Sequence, residues 1–113
     1  MRLYLDDLRP TPEGFTHRAY TAKQAIEFLK TGEVEFISFD HDLGTKGCGY
    51  DVAKWIEHQA AYYHRKPPAY DVHSKNPVGS MNIIWAMENA HQLYMDLGLE
   101  PVEECDDYSG LPD

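Results

Sequence analysis

Four carboxylates and two imidazoles stand where apolar runs of this chain end. Leu3-Tyr4-Leu5 runs into Asp6 and Asp7, and Phe36-Ile37-Ser38-Phe39 runs into Asp40, His41 and Asp42; a third run through Val72 ends in His73 and Ser74. Ionised carboxylates a few ångströms apart repel unless a cation or a proton lies between them. A small cluster of hard oxygen donors suits Mg²⁺ or Mn²⁺, and an added imidazole makes Zn²⁺ a competitor. Such a cation polarises a phosphoester and helps ionise a water. Either His41 or His73 would then serve as general base or acid. Taken singly, each cluster has a plainer reading. Asp6-Asp7 alone fits a strand-end turn with a capping or ion-pair role beside Arg9, His73 alone fits a hydrogen-bonded core histidine, and Ser74 and Asn76 alone fit turn caps. What favours a site is their convergence.

That convergence depends on the elements. Arg2 to Leu5 reads as a first strand, followed by a loop over residues 8–17 that holds Pro10, Pro12 and Gly14. His17 to Tyr20 is a short second strand. Thr21-Ala22-Lys23-Gln24 fits a capping box, and Ala22, Ala25, Ile26 and Leu29 give the stripe of a helix that Gly32 ends. Val34 to Asp40 is the next strand, and a loop follows from His41 to Gly49. Val52, Trp55, Ile56, Gln59, Ala60 and Tyr63 lie on one helical face of Asp51–His64, which Lys66-Pro67-Pro68 stops. Ala69 to Ser74 reads as a strand, Asn76-Pro77-Val78-Gly79 as a turn capped by Asn76 or Ser80, and Met81 to Met95 as the last long helix. Leu99 to Glu104 would supply a short last strand, before an acidic tail reaching Asp113. Strands alternating with helices predict an α/β sandwich on a mainly parallel sheet. Parallel strands place all three clusters at the same rim, where open α/β sheets bind ligands.

Composition bounds the partners. The 113 residues suit one domain over 1–113, with residues 104–113 as the tail. Net charge is −9, from 19 acids against 10 bases. Duplex nucleic acid is disfavoured, because its backbone is held by clustered Lys and Arg. Small phosphates remain compatible, since a divalent cation bridges them to carboxylates. No apolar run reaches the ~20 residues a membrane span needs, and no signal-peptide pattern opens the chain. With two cysteines, Cys48 and Cys105, and no paired motif, a reduced cytoplasmic protein is expected. The sequence does not specify an oligomeric state.

The strings are more specific than the residue types. An Asp pair after a first strand, an Asp after a central strand and a Ser after the next resemble the response-regulator receiver fold. Together, Tyr4-Leu5-Asp6-Asp7-Leu8-Arg9-Pro10, Ile37-Ser38-Phe39-Asp40-His41-Asp42-Leu43-Gly44 and Val72-His73-Ser74-Lys75-Asn76-Pro77-Val78-Gly79 resemble the receiver-like family named for cyclic-phosphate processing, over roughly residues 1–95. The resemblance implies a three-layer receiver-like (flavodoxin-like) sandwich whose first helix is reduced to a loop. It also implies that Asp6, Asp7 and Asp40 hold a divalent metal and that the substrates are cyclic phosphates. Two departures from an ordinary receiver stand out. No lysine occurs beyond Lys75, so the lysine a receiver places after its final strand is missing or displaced. His41, Asp42 and His73 are additional, and they fit hydrolysis better than storage of a phosphoryl group.

The expected function is a metal-dependent phosphodiesterase. Asp40, His41, His73 and Asp42 are its catalytic candidates. Ser74, Lys75, Asn76, Arg9 and amides near Gly79 at a helix start would hold phosphate oxygens. The favoured substrate is a small cyclic phosphate, either a cyclic nucleotide or the 2′,3′-cyclic end of an RNA. A receiver-type module phosphorylated on Asp40, and a non-catalytic module that captures a cyclic nucleotide, fit the same residues. A stable Asp40-dependent phosphoryl adduct identifies the first; tight binding without turnover in any divalent metal identifies the second.

Overall fold

A computed structural model describes residues 1–43 and 48–97. Its elements are β1 (Arg2–Leu5), β2 (His17–Ala19), α1 (Ala22–Lys30), β3 (Phe36–Phe39), α2 (Gly49–Tyr63), β4 (Ala69–Val72) and α3 (Pro77–Leu97). The strands form one parallel sheet in the order β2-β1-β3-β4. This is the α/β fold on a parallel sheet that the alternation of elements predicts, and the receiver-like fold that the resemblance implies. The last strand and tail expected over 99–113 lie outside the described residues. Among the described residues, no helix is long and apolar enough to cross a membrane.

The strands are short, and the two faces of the sheet differ in kind. Leu3, Leu5, Ile37 and Phe39 are wholly buried. They join one cluster with Ala25 and Leu29 of α1, Val52, Ala53, Ile56 and Ala60 of α2, and Ile83, Met87 and Ala90 of α3. The period of two turns the intervening residues to the other face. There Tyr4, Ser38 and Asp71 lie side by side across three strands. The proline-rich loop closes over part of this second face. Phe15 packs edge-on to Tyr4 at 5.1 Å between ring centres, and the Arg2 guanidinium lies 4.4 Å from the centre of the Phe36 ring. A residue of this loop thus occupies the place where the usual first helix of a receiver would bury an apolar stripe.

The helix ends follow local chemistry. Thr21 caps α1, its Oγ1 accepting from Gln24 N at 3.1 Å. The Gln24 amide oxygen reaches one residue further back than in the expected box and accepts from Tyr20 N at 2.8 Å. α2 starts at Gly49, two residues earlier than apolar spacing suggests, because Asp51 accepts from Cys48 N and closes the first turn. α3 starts at Pro77, four residues earlier than expected. Asn76-Pro77-Val78-Gly79 has the composition of a turn, yet Pro is preorganised for the first helical position. Asn76 is the cap: its Oδ1 accepts from Gly79 N at 2.9 Å and its carbonyl from Ser80 N at 2.8 Å. β3 and β4 are shorter than expected, ending at Phe39 and Val72. Asp40, His73 and Ser74 therefore stand just beyond the strands.

Candidate functional site

Three backbone hydrogen bonds carry the sheet one residue past its strands. Asp6 N donates to Ala19 O, Asp40 N to Leu5 O, and His73 N to Phe39 O, at 3.1, 3.0 and 2.9 Å. Each residue that ends a strand is thereby anchored to the last residue of the neighbouring strand. The result is a staircase of Asp6, Asp40 and His73 along the carboxyl rim. One ligand atom from each of these three lies within 4.8 Å of the others. Asp6 and Asp40 are buried and His73 is half-buried.

Asp6 is the most constrained of the three. Its Oδ1 accepts from the amides of Leu8 and Arg9 at 2.7 and 2.8 Å. Its Oδ2 accepts from Arg9 Nη1 at 2.9 Å and lies 2.9 Å from His73 Nε2. Burial alone would raise its pKa, but these amides, the guanidinium and the imidazole outweigh burial and hold it at about 2. Asp40 goes the other way. Burial first, and then repulsion from Asp6, push its pKa above the ordinary value against the pull of His73, Arg9 and a Ser74 hydrogen bond. Arg9 Nη1 stands 3.7 Å from Asp40 Oδ2. This guanidinium thus lies within reach of both carboxylates. The plain reading of Asp6 as a turn former paired with Arg9 thus holds alongside its place in the cluster.

A second group flanks the first. His41 Nδ1 lies 2.9 Å from Asp42 Oδ1, and Asn76 Nδ2 lies 3.5 Å from the same nitrogen. The Asp42 carboxylate is held below the ordinary range chiefly by its bond to His41. The His41 ring rests on Gly79 in the first turn of α3. A Cβ there would lie 2.3 Å from His41 Cγ, a distance no side chain tolerates. Gly49 plays the same part on the other side, where a Cβ would lie 2.2 Å from Asp40 O. These two glycines let α2 and α3 begin directly against the residues of the rim.

The remaining candidates are placed as follows. Asp7 is half-buried and does not belong to the three-residue group, but its Oδ1 is buried with no hydrogen-bond partner among the described residues. Ser74 Oγ accepts from Asn76 N at 3.1 Å. Lys75 is exposed between β4 and α3. The amide of Gly79 is engaged by Asn76, so Gly79 itself contributes room and not a free donor.

Sequence reasoning missed the supports of His73. The ring stacks on Tyr4, with 4.6 Å between centres and 9° between planes. Its Nδ1 lies 2.7 Å from Ser38 Oγ, which in turn bonds Asp71 Oδ1. Arg18 braces the turn, donating from Nε and Nη2 to Asp6 O at 3.0 and 2.8 Å. Ser38 and Asp71 read as ordinary strand residues in sequence. The one available signal was parity, because alternate positions 38 and 71 share a face with 40 and 73.

A parallel sheet with an acidic rim at its carboxyl edge defines a receiver-type domain. Residues 1–89 match the model of the cyclic-phosphate processing receiver domain, and the chain belongs to that family. No curated protein matches it.

Proposed function

We propose that this domain is a metal-dependent phosphodiesterase that opens a cyclic phosphate on a nucleotide or an RNA end. The observation that carries the reading is the convergence of Asp6, Asp40 and His73 within 4.8 Å, beside a His41–Asp42 pair that an ordinary phosphoacceptor does not require. The donor set is two carboxylates and one imidazole, which fits Mg²⁺ or Mn²⁺ and admits Zn²⁺. The Oδ1 of Asp7, buried and without a hydrogen-bond partner among the described residues, suits a further oxygen ligand. Asp6, Asp40 and His73, with Asp7 adjoining, would hold the cation, which when bound supplies Lewis acidity to the phosphodiester.

The chain's own groups supply the rest. Arg9 is partly exposed and free to swing from the carboxylates towards a non-bridging phosphate oxygen once a cation takes over its charge. Lys75 is exposed at the same rim and offers a second cationic contact. Asp42 accepts from His41 Nδ1, which aims Nε2 away from the carboxylate. That nitrogen is the general base for an attacking water, or the acid for the departing ribose oxygen.

Replacing Asp40 by Asn removes one charge from the cluster and keeps its volume. Hydrolysis of a 2′,3′-cyclic mononucleotide in Mn²⁺ should be abolished while the circular dichroism and melting curve stay native. Full activity in this variant would remove the proposal. A stable phosphoryl adduct on wild-type Asp40 after exposure to a small phosphodonor would replace it with the phosphoacceptor reading.

A further inference from the structure

We infer that Ser38 and Asp71 form a positioning pair that sets the hydrogen of His73 on Nδ1 and presents Nε2 to the rim. The hydrogen bonds leave little choice. Asp71 is exposed on β4, an edge strand among the described residues, and an ionised carboxylate only accepts. Ser38 is buried and bonds Asp71 Oδ1, so its single hydroxyl hydrogen is spent there. A serine oxygen whose hydrogen is committed faces its other neighbour as an acceptor. The neighbour is His73 Nδ1, at 2.7 Å, so Nδ1 must be the donor.

The consequence falls on the opposite nitrogen. Nε2 lies 2.9 Å from Asp6 Oδ2. An ionised carboxylate only accepts, so in the ion-free protein Nε2 donates to it; the same nitrogen would face a cation held by those oxygens. Tyr4 stacks on the ring and fixes its plane, so the pair and the stack together permit only this presentation. Metal-binding histidines commonly donate their second nitrogen to such an outer partner, which fixes tautomer and orientation. Here the partner is a serine that relays a carboxylate one strand away. All three come from adjacent strands in register, with Ser38 opposite Asp71 and His73 two residues beyond Asp71.

The tautomer stands on these contacts alone; its effect on a cation rests on the proposed metal site. The test is ¹⁵N imidazole NMR, with the His73 signals identified by their loss in His73→Gln. In the ion-free wild type, Nδ1 should carry a directly bonded hydrogen. Ser38→Ala removes the acceptor. Asp71→Asn leaves a surface amide that can donate to Ser38, which frees the hydroxyl to donate to Nδ1. Both variants should show Nδ1 losing its hydrogen in part or in full. The Asp40-dependent affinity for Zn²⁺ should weaken by about 10- to 100-fold in each. Asp71→Asn is a surface change, so the inference remains testable if Ser38→Ala misfolds. A wild-type Nδ1 without hydrogen overturns the pair. So do variants that keep both the wild-type Nδ1 signal and Zn²⁺ affinity within twofold. If Nδ1 behaves as expected but wild type binds none of Zn²⁺, Mn²⁺ and Mg²⁺, the pair stands and the metal reading falls.

Discussion

At the scale of single residues, the rim is built by giving each charged group a fixed neighbour. Asp6 is held by two amides and a guanidinium, His73 by a serine and a stacked tyrosine, and His41 by Asp42 and a glycine. The last of these yields a direct prediction. In a helix, Gly→Ala ordinarily stabilises by up to ~1 kcal/mol. Gly79 has no left-handed backbone to protect, so Gly79→Ala should keep the native fold, with the helix-propensity gain offset by the displacement its Cβ forces. Its Cβ, however, would lie 2.3 Å from His41 Cγ, so the imidazole must leave its seat. A displaced acid–base group should reduce cyclic-phosphate hydrolysis by ~10²-fold. Thermal melts and steady-state rates on the same preparation check both halves. Unchanged turnover would mean that His41 takes no part in the chemistry. The residues that gather at the rim, Asp6, Asp40 and His73 with His41 beside them, were legible in sequence because they break apolar runs. Ser38 and Asp71 were not, because a serine and an aspartate within strands carry no such contrast; only the register reveals that they meet.

At the scale of elements, what matters is how β4 is kept on the sheet. It is an edge strand among the described residues, with Ala69 and Asp71 exposed, and it positions both His73 and the start of α3. The Tyr70 hydroxyl donates to Glu88 and so ties β4 to the middle of α3. Burial first, and then that bond and the negative charge of Glu88, raise the phenol from its ordinary 10.0 to about 12. The unfolded chain releases this proton near 10 and the folded protein holds it to about 12. Between those values the folded state binds more protons, so the contribution is complete below pH 10 and is lost as pH climbs to 12. Tyr70→Phe should therefore be about 1 kcal/mol less stable than wild type at pH 8, and the gap should narrow by pH 11. Urea unfolding at the two pH values measures it, and a gap that widens would refute the tie. Elements of this kind were largely readable from sequence. Capping by Thr21 and the stripe of α2 are local signals. The start of α3 was misplaced because Asn-Pro-x-Gly suits a turn and a capped helix equally. The two bonds that Asn76 accepts, from Gly79 N and Ser80 N, select the helix, and sequence does not show them.

For the whole molecule, the net charge of −9 acts on the two species the proposed site must gather, and with opposite sign. A cation is drawn towards the protein from a distance, while an anionic phosphate is repelled until it meets Arg9, Lys75 and the bound ion. Screening separates the two effects, because the Debye length falls from ~30 Å at 0.01 M to ~8 Å at 0.15 M ionic strength. Raising salt across that range should weaken Mg²⁺ binding several-fold. With Mg²⁺ kept saturating, it should instead raise kcat/KM for a cyclic mononucleotide by a few-fold, since long-range repulsion is screened before the short contacts at the rim are. An RNA carrying the same cyclic end brings further phosphates up to a chain of net charge −9 whose sequence holds no basic run, so its kcat/KM should rise more steeply than that of the mononucleotide. Proteins that grip a nucleic-acid backbone do the reverse and lose affinity as salt rises. If kcat/KM for the RNA fell with salt, a cationic path along the protein would have to exist.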